Sequence, residues 1–392
     1  GIARDLFAAD FGKLKKKKIT KTESKFKTDI KLVNKLKDND CPNFSIRLIK
    51  NVENKDSSAN LIKRFEKTDL KIISSLVDIT NFITIDFCRP LHVFDYDKIE
   101  GDLIIRHSKK GEKFLGLDDE NYELDDGMIV ICDDSGVISL AGILGGKRTA
   151  CDDKTKNVLI ESAYFSPASI IKSGRKLNIQ SDARYRFERG IDPDSVNQGI
   201  EYATEMILKN CGGEPGSIVT DGKKIVENNN IEIENVFFDQ VLGIKISNQF
   251  IKDKLNKIGC YLSGDKNLVV TPPSWRSDIK IKEDLVEEIA RLYGLEKIPS
   301  IPFDLQNNTN KKITSDIQVL RNKIKKLLVS RNIFEIITWS FTDEKIQKLF
   351  DETENFLKIT NPISSELSSM RSNLLPNVIS AMKKNIYKNF NN

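Results

Sequence analysis

Apolar positions along the chain alternate between a spacing near 3.6 and one near 2, which predicts interleaved helices and strands. The opening GIARDLFAADFGKL carries Ile2, Leu6, Phe7 and Phe11 at helical spacing and predicts an amphipathic helix. Short apolar runs predict strands over residues 44–49, 103–106, 128–132, 137–140 and 158–161, the third launched from the turn Asp125-Asp126-Gly127. Helices are predicted over 58–65, 72–87 and 196–211. In the second of these, Asp78, Thr80 and Asn81 interrupt the apolar run and require local partners. In the third, Asp194 or Ser195 can cap the start, Ile200, Ala203, Ile207 and Cys211 line one face, and Gly212-Gly213 ends it. Downstream, Ser247 caps a helix that stops at Gly259, residues 261–270 read as a hairpin turning at Gly264-Asp265, and a second helix ends near Gly294. From Ser315 a helix places Ile317, Leu320, Ile324, Leu327 and Leu328 on one face, and residues 333–341 read as a strand.

This pattern divides the chain. Residues 1–42 form a helix and lysine-rich linker, 43–220 a mixed α/β domain, 221–302 a smaller helix–hairpin–helix unit, 303–314 a polar linker, and 315–392 the start of a further domain. A chain of 392 residues exceeds one ordinary core, which agrees. Hydrophobic residues at 39% and charged residues at 30% describe a soluble globular protein. No apolar run approaches the roughly 18 residues of a membrane span, and no secretion signal is visible. The six cysteines are scattered without a CxxC pair and there are two histidines, so the pattern argues against zinc and for reduced cytosolic thiols. A net charge of +5 does not by itself imply nucleic acid. The lysines at 15–18 suit either RNA phosphates or a solvated linker.

Candidate chemistry concentrates between Leu140 and Pro193, in LAGILGG, LIESAYFSP and SDARYRFERGIDP. Gly142, Gly145 and Gly146 let backbone approach a ligand closely. Glu161 is an isolated carboxylate after an apolar strand. The run Arg184, Tyr185, Arg186, Phe187, Arg189 adds a positive, aromatic strip. Together these suit a small polar ligand attached to something anionic; they also read as a turn, a strand end and a solvated edge. His92, in CRPLHVFD, is a group whose neutral imidazole can orient water near neutral pH, or a structural residue. A second candidate is the acidic helix in WRSDIKIKEDLVEEIARLYG. There Ile281, Leu285, Ile289 and Leu292 form the expected buried stripe. Asp284, Glu287 and Glu288 share its flank, with Asp278 upstream. Like charges at that spacing repel; a bound Mg²⁺ would offset this, as would pairing with Lys280, Lys282 and Arg291.

The same motifs, in this order and spacing, resemble the B3/B4 editing region of the bacterial phenylalanyl-tRNA synthetase β subunit. The unit at 221–302 resembles that subunit's winged-helix-like B5 domain, and ITNPISSELSSMRSNLLP the opening of its class II synthetase-like antiparallel α+β domain, which the chain stops too soon to complete. GIARDL resembles the segment before the editing region, so upstream domains are expected in the whole subunit. The resemblance implies a multidomain α/β (α+β) fold and hydrolysis of tyrosine mistakenly attached to tRNA(Phe). It implies His92, Glu161 and Ser181 as catalytic residues, and Lys71, Gly145 and Ala183 as substrate-binding ones. Glu161 would accept a hydrogen bond from a hydroxyl that phenylalanine lacks, Gly145 would present backbone, and Ala183 would leave room for the ring. It further implies Mg²⁺ on Asp278, Asp284, Glu287 and Glu288, shared with an α subunit in an α₂β₂ assembly that charges tRNA(Phe) using ATP, in the cytoplasm. Two departures stand out. Ser181 replaces a common Thr, and Lys71 a common Arg whose bidentate fork Lys cannot reproduce. A free-standing deacylase and a non-catalytic nucleic-acid-binding module are the other classes the residues permit.

Overall fold

The computed structural model describes residues 1–15, 18–38, 40–68, 70–223, 230–265, 267–301, 314–351 and 356–388; half of the 15–18 lysine run and nearly all of the expected linker at 303–314 lie outside these. The chain forms two compact units, Gly1–Pro299 and Ser300–Asn392.

The first unit is built on two sheets. One is antiparallel, with the order Glu214–Gly222, Asn43–Lys50, Val158–Tyr164, His92–Asp95. Its two central strands are buried almost from end to end, as a sheet covered on both faces requires. On one face Ile49, Val158 and Ile160 pack against Leu76, Ile79 and Ile83 of the Ser75–Asp86 helix and Ile200, Ala203 and Ile207 of the Val196–Cys211 helix. The latter spans the predicted residues, and Gly212 ends it at φ 69°. On the other face Phe44, Ile46, Leu48, Phe94, Leu159 and Ala163 meet Ile105, Ile131 and Ile138 of the second sheet. That sheet runs Leu32–Asn34, Leu103–His107, Ile129–Asp133, Gly136–Leu140, Leu144–Gly145. Because side chains alternate along a strand, the odd-numbered set Leu159, Glu161, Ala163 faces the space between the sheets. Of the polar residues that interrupt the Ser75–Asp86 helix, Asp78 accepts from Ser57 Oγ at 2.6 Å and from Ile73 N at 2.9 Å, and Thr80 Oγ1 donates to Val77 O at 2.7 Å.

Residues 231–293 add a three-stranded antiparallel sheet, ordered Ile231–Glu234, Asn267–Thr271, Tyr261–Ser263, under the helices Asn235–Leu242, Asn248–Ile258 and Lys282–Tyr293. Ser247 Oγ caps the second helix, and Gly259 (φ 103°) and Gly264 (φ 84°) turn the chain where expected. The helix Ile2–Ala8 belongs here, with Ala8 inside this core. Its expected apolar face is not what docks: Ile2, Leu6 and Phe11 are 81%, 50% and 81% exposed. Polar contacts hold it instead. The Arg4 guanidinium lies 4.0 Å from the Trp275 ring centroid, Arg291 donates to Asp5 at 2.9 Å, and the buried Lys254 ammonium donates to Ala8 O at 2.8 Å. Lys254→Met should therefore leave that carbonyl without its donor and Asp10 with Lys257 alone, costing about 1–3 kcal/mol. Limited proteolysis would read it as new cleavage within the first eleven residues; a protected N-terminus would refute it.

In the second unit the helix expected from Ser315 runs Asp316–Val329, with Ser315 Oγ capping it. The predicted face is 39–80% exposed. The expected strand over 333–341 shrinks to Phe341–Thr342, paired with Ser369–Met370. Among the described residues nothing offers residues 333–340 a ladder, and a strand exists only by its pairing. The helix Leu375–Tyr387 follows. No described helix is long and apolar enough to cross a membrane.

Candidate functional site

Between the two sheets, Glu161 and His92 stand directly opposite one another across the antiparallel pairing of Val158–Tyr164 with His92–Asp95. Opposed residues of such a pair hold their Cβ atoms about 5 Å apart. Glu161 is 5% exposed, and no described residue offers its carboxyl a hydrogen bond. Burial pushes its pKa up to about 8, against the opposing pull of the Arg89 guanidinium. His92 is half-buried, yet its Nε2 is enclosed without a partner. Burial lowers its pKa to about 4, so the ring is neutral at pH 7. Its face packs edge-on against Phe94 at 4.4 Å between centroids. The site thus presents two uncharged polar groups, each with hydrogen-bonding capacity unused inside a desolvated space. Buried polar groups are normally satisfied, and both point to a ligand.

Gly145 closes one side. A Cβ there would lie 2.3 Å from His92 Cε1, so only bare backbone fits against the imidazole. The loop leading to it is clasped by Ser181, whose Oγ donates to Ile143 O at 2.6 Å and accepts from Arg184 N at 3.1 Å as the cap of the helix Asp182–Phe187. The Ser181 proton is therefore committed to holding this loop. Ala183, two residues on, packs against the same core. Lys71 is exposed and forms no ion pair among the described residues. His92, Gly145, Ser181 and Ala183 are brought together with Glu161.

Two features were not legible beforehand. Arg89, in the same CRPLHVFD, is fully buried. It donates to Ala163 O at 2.7 Å, two residues past Glu161, to Ser195 Oγ, and to Asp192 O. Desolvation lowers its pKa to about 10, which leaves it charged at neutral pH. The only sequence signal was an arginine three positions before the histidine. The strip is helical as far as Phe187, and its charges are largely internal: Arg184 pairs with Glu188, Arg186 with Asp182, and Arg189 with Glu188. The expected positive strip is close to neutral.

The acidic helix departs from expectation. Leu285 and Ile289 are buried, but Ile281 is 55% exposed, and Glu288 takes a buried place at 6%. Arg276 bridges Asp278 at 2.6 Å and Glu288 at 2.8 Å, and Arg291 adds a second cation to Glu288. These partners hold both carboxyls below their usual range, despite the burial of Glu288. Asp284 accepts from Lys280 N at 2.7 Å and Ile281 N at 2.9 Å as a helix-start cap. Glu287 is exposed and has no ion pair among the described residues. Among the described residues no group of three or more His, Cys, Asp or Glu is placed to hold a metal ion. The expected Mg²⁺ set of Asp278, Asp284, Glu287 and Glu288 does not converge, because two of its members have arginine counter-ions and a third serves the backbone.

The chain matches known families along most of its length: the B3/4 domain over residues 40–212, the tRNA synthetase B5 domain over 231–295, and the phenylalanyl-tRNA synthetase beta chain CLM domain over 301–392. The phenylalanine–tRNA ligase beta subunit of Bradyrhizobium diazoefficiens is 42% identical over 392 residues, covering 100% of this chain and 49% of that protein. Its counterpart from Rhodopseudomonas palustris is 42% identical over 387 residues (98% and 48%), and that from Nitrobacter winogradskyi 41% over 392 (100% and 48%). The chain spans about half the length of these relatives. With three domain matches in sequence and identity sustained from end to end, the chain belongs to the phenylalanine–tRNA ligase beta-subunit family.

Proposed function

We propose that the pocket between the sheets hydrolyses tyrosine from mischarged tRNA(Phe). The observation that carries this reading is the buried, unpartnered Glu161 carboxyl facing the enclosed His92 Nε2. A site built around a hydroxyl-bonding group rejects a ligand without the hydroxyl far better than one built on size. Protonated or not, the Glu161 carboxyl keeps an oxygen that accepts from a phenol. Gly145 and Ala183 supply the space for the ring. His92, with its pKa near 4, is a poor proton acceptor at pH 7 and serves to orient a water. That water adds to the ester carbonyl and the C–O bond to the ribose breaks, giving tyrosine and a free tRNA hydroxyl. No covalent nucleophile is needed. Ser181 fixes the Gly145 loop. In the whole enzyme this chain would act beside an α subunit that joins phenylalanine to tRNA(Phe) with ATP, in the cytoplasm.

The test is hydrolysis of Tyr-tRNA(Phe) beside Phe-tRNA(Phe) by this chain, with and without the α subunit and the rest of β. Selective loss of the tyrosyl ester supports the reading, and no hydrolysis in either setting refutes it. Gly145→Ala should cut the rate roughly 100-fold, because its methyl displaces His92 and misplacement by an ångström costs on that order. Single-turnover rates would show it, and an unchanged rate would remove His92 from the reaction.

A further inference from the structure

The helix Asp182–Phe187 brings Ala183 to the pocket and turns Tyr185 outward, 56% exposed. The Arg189 guanidinium lies 3.7 Å from the Tyr185 ring centroid. It is held there by bonds from one Nη to Tyr185 O at 2.9 Å and Glu188 Oε1 at 2.6 Å. Two planar groups are thus stacked and pinned in advance, and the side chain of Arg189 is 54% exposed. The helix has six residues and spans about 9 Å, so the stack lies close to the Ser181 cap and Ala183.

We infer that the Tyr185–Arg189 stack is a platform for an unpaired nucleobase of the RNA strand whose end carries the amino acid. The inference rests on the hydrolytic reading above and names the substrate contact next to that pocket. An amino acid seated beside Glu161 is tied to the last nucleotides of a single strand, and these must cross the pocket rim. Three arginines against two carboxylates over residues 182–189 leave little net charge, and the ion pairs occupy them, so the helix is poorly suited to gripping phosphate. What remains available is flat π surface. Aromatic rings and guanidinium planes are what unpaired bases stack on, and such stacking is tolerant of sequence. A separate cavity of about 580 Å³, lined by Lys113, Phe114, Val137, Ile138, Lys147 and Arg148 among others, is the rival location.

The test is binding of a fluorescent single-stranded oligoribonucleotide ending in CCA, without amino acid, to the full chain. Tyr185→Ala should weaken binding tenfold or more with an unchanged salt slope, while Tyr185→Phe retains it. Tyr185 is exposed, and a thermal melt checks that the fold persists. Binding that Tyr185→Ala leaves intact overturns the inference, as does a loss matched by Tyr185→Phe. So does an effect confined to Lys113→Glu, or no binding by the unaltered chain at millimolar RNA. Oligonucleotide binding is read apart from hydrolysis: a chain that binds RNA through Tyr185 without cleaving the ester would refute the hydrolytic reading alone, and the converse would refute only the platform.

Discussion

Glu161→Ala should reduce the preference for the tyrosyl over the phenylalanyl ester roughly 10- to 100-fold, the worth of one desolvated hydrogen bond, while the phenylalanyl rate changes little. Glu161→Gln should keep part of the preference, because the amide oxygen still accepts. The comparison separates a discriminating group from a structural one, since loss of structure would lower both rates together. The same residue makes a pH signature. Its folded pKa is raised to about 8 from an ordinary 4.5. Below 4.5 the carboxyl is protonated in folded and unfolded chains alike. Between 4.5 and 8 the unfolded chain releases the proton and the folded one keeps it, so the contribution of Glu161 to stability falls as pH rises, by at most about 1.4 kcal/mol per unit. Glu161→Gln has no such slope. Relative to the unaltered chain it should gain thermal stability from pH 5 to pH 8. The His92 shift acts on the acid side and cancels in the difference. No relative change over that range would mean that Glu161 is already ionised in the folded chain below pH 5.

Periodicity told which residues share a face and where chain direction changes. The stripe Ile200, Ala203, Ile207, Cys211 and the turns at Gly127, Gly259 and Gly264 were legible because the causes are local: helical spacing and a positive φ. It did not tell what covers a face. Ile2, Leu6 and Phe11 kept the helical spacing and remain exposed, as does the face of Ile317, Leu320 and Ile324. The residues over 333–340 had strand composition without a partner to make a strand. At the candidate site, Glu161 could be picked out as a carboxylate after an apolar run, but its place opposite His92 depends on a pairing 69 residues long in sequence. At the acidic helix, spacing in sequence did not tell the partners: Arg276, two residues from Asp278 and twelve from Glu288, pairs with both of these carboxylates.

Arg89 should prove the most costly side chain in the first unit to remove. It is a buried cation whose donors serve Ala163 O on the Glu161 strand, and Asp192 O and Ser195 Oγ at the start of the Val196–Cys211 helix. These acceptors lie 74 to 106 residues away in sequence, so the arginine ties together elements that are distant along the chain. Arg89→Ala takes a donor from three acceptors, leaving Asp192 O with Ser195 alone, and opens a cavity, and breaking a buried charged network of this kind typically costs about 3–5 kcal/mol. Arg89→Lys should recover little, because a single ammonium cannot span acceptors on opposite sides of a planar fork. Arg89→Ala and Arg89→Met also remove the positive charge that pulls the Glu161 pKa down. In Arg89→Lys, where the charge survives, the pH dependence of stability should stay near that of the unaltered chain. In Arg89→Met it should extend to higher pH. Denaturant unfolding across pH 5–9 for the three chains separates the two roles. If both variants unfold within about 1 kcal/mol of the unaltered chain, the buried guanidinium is not what ties the Glu161 strand to the helix, and the pocket owes its shape to apolar packing alone.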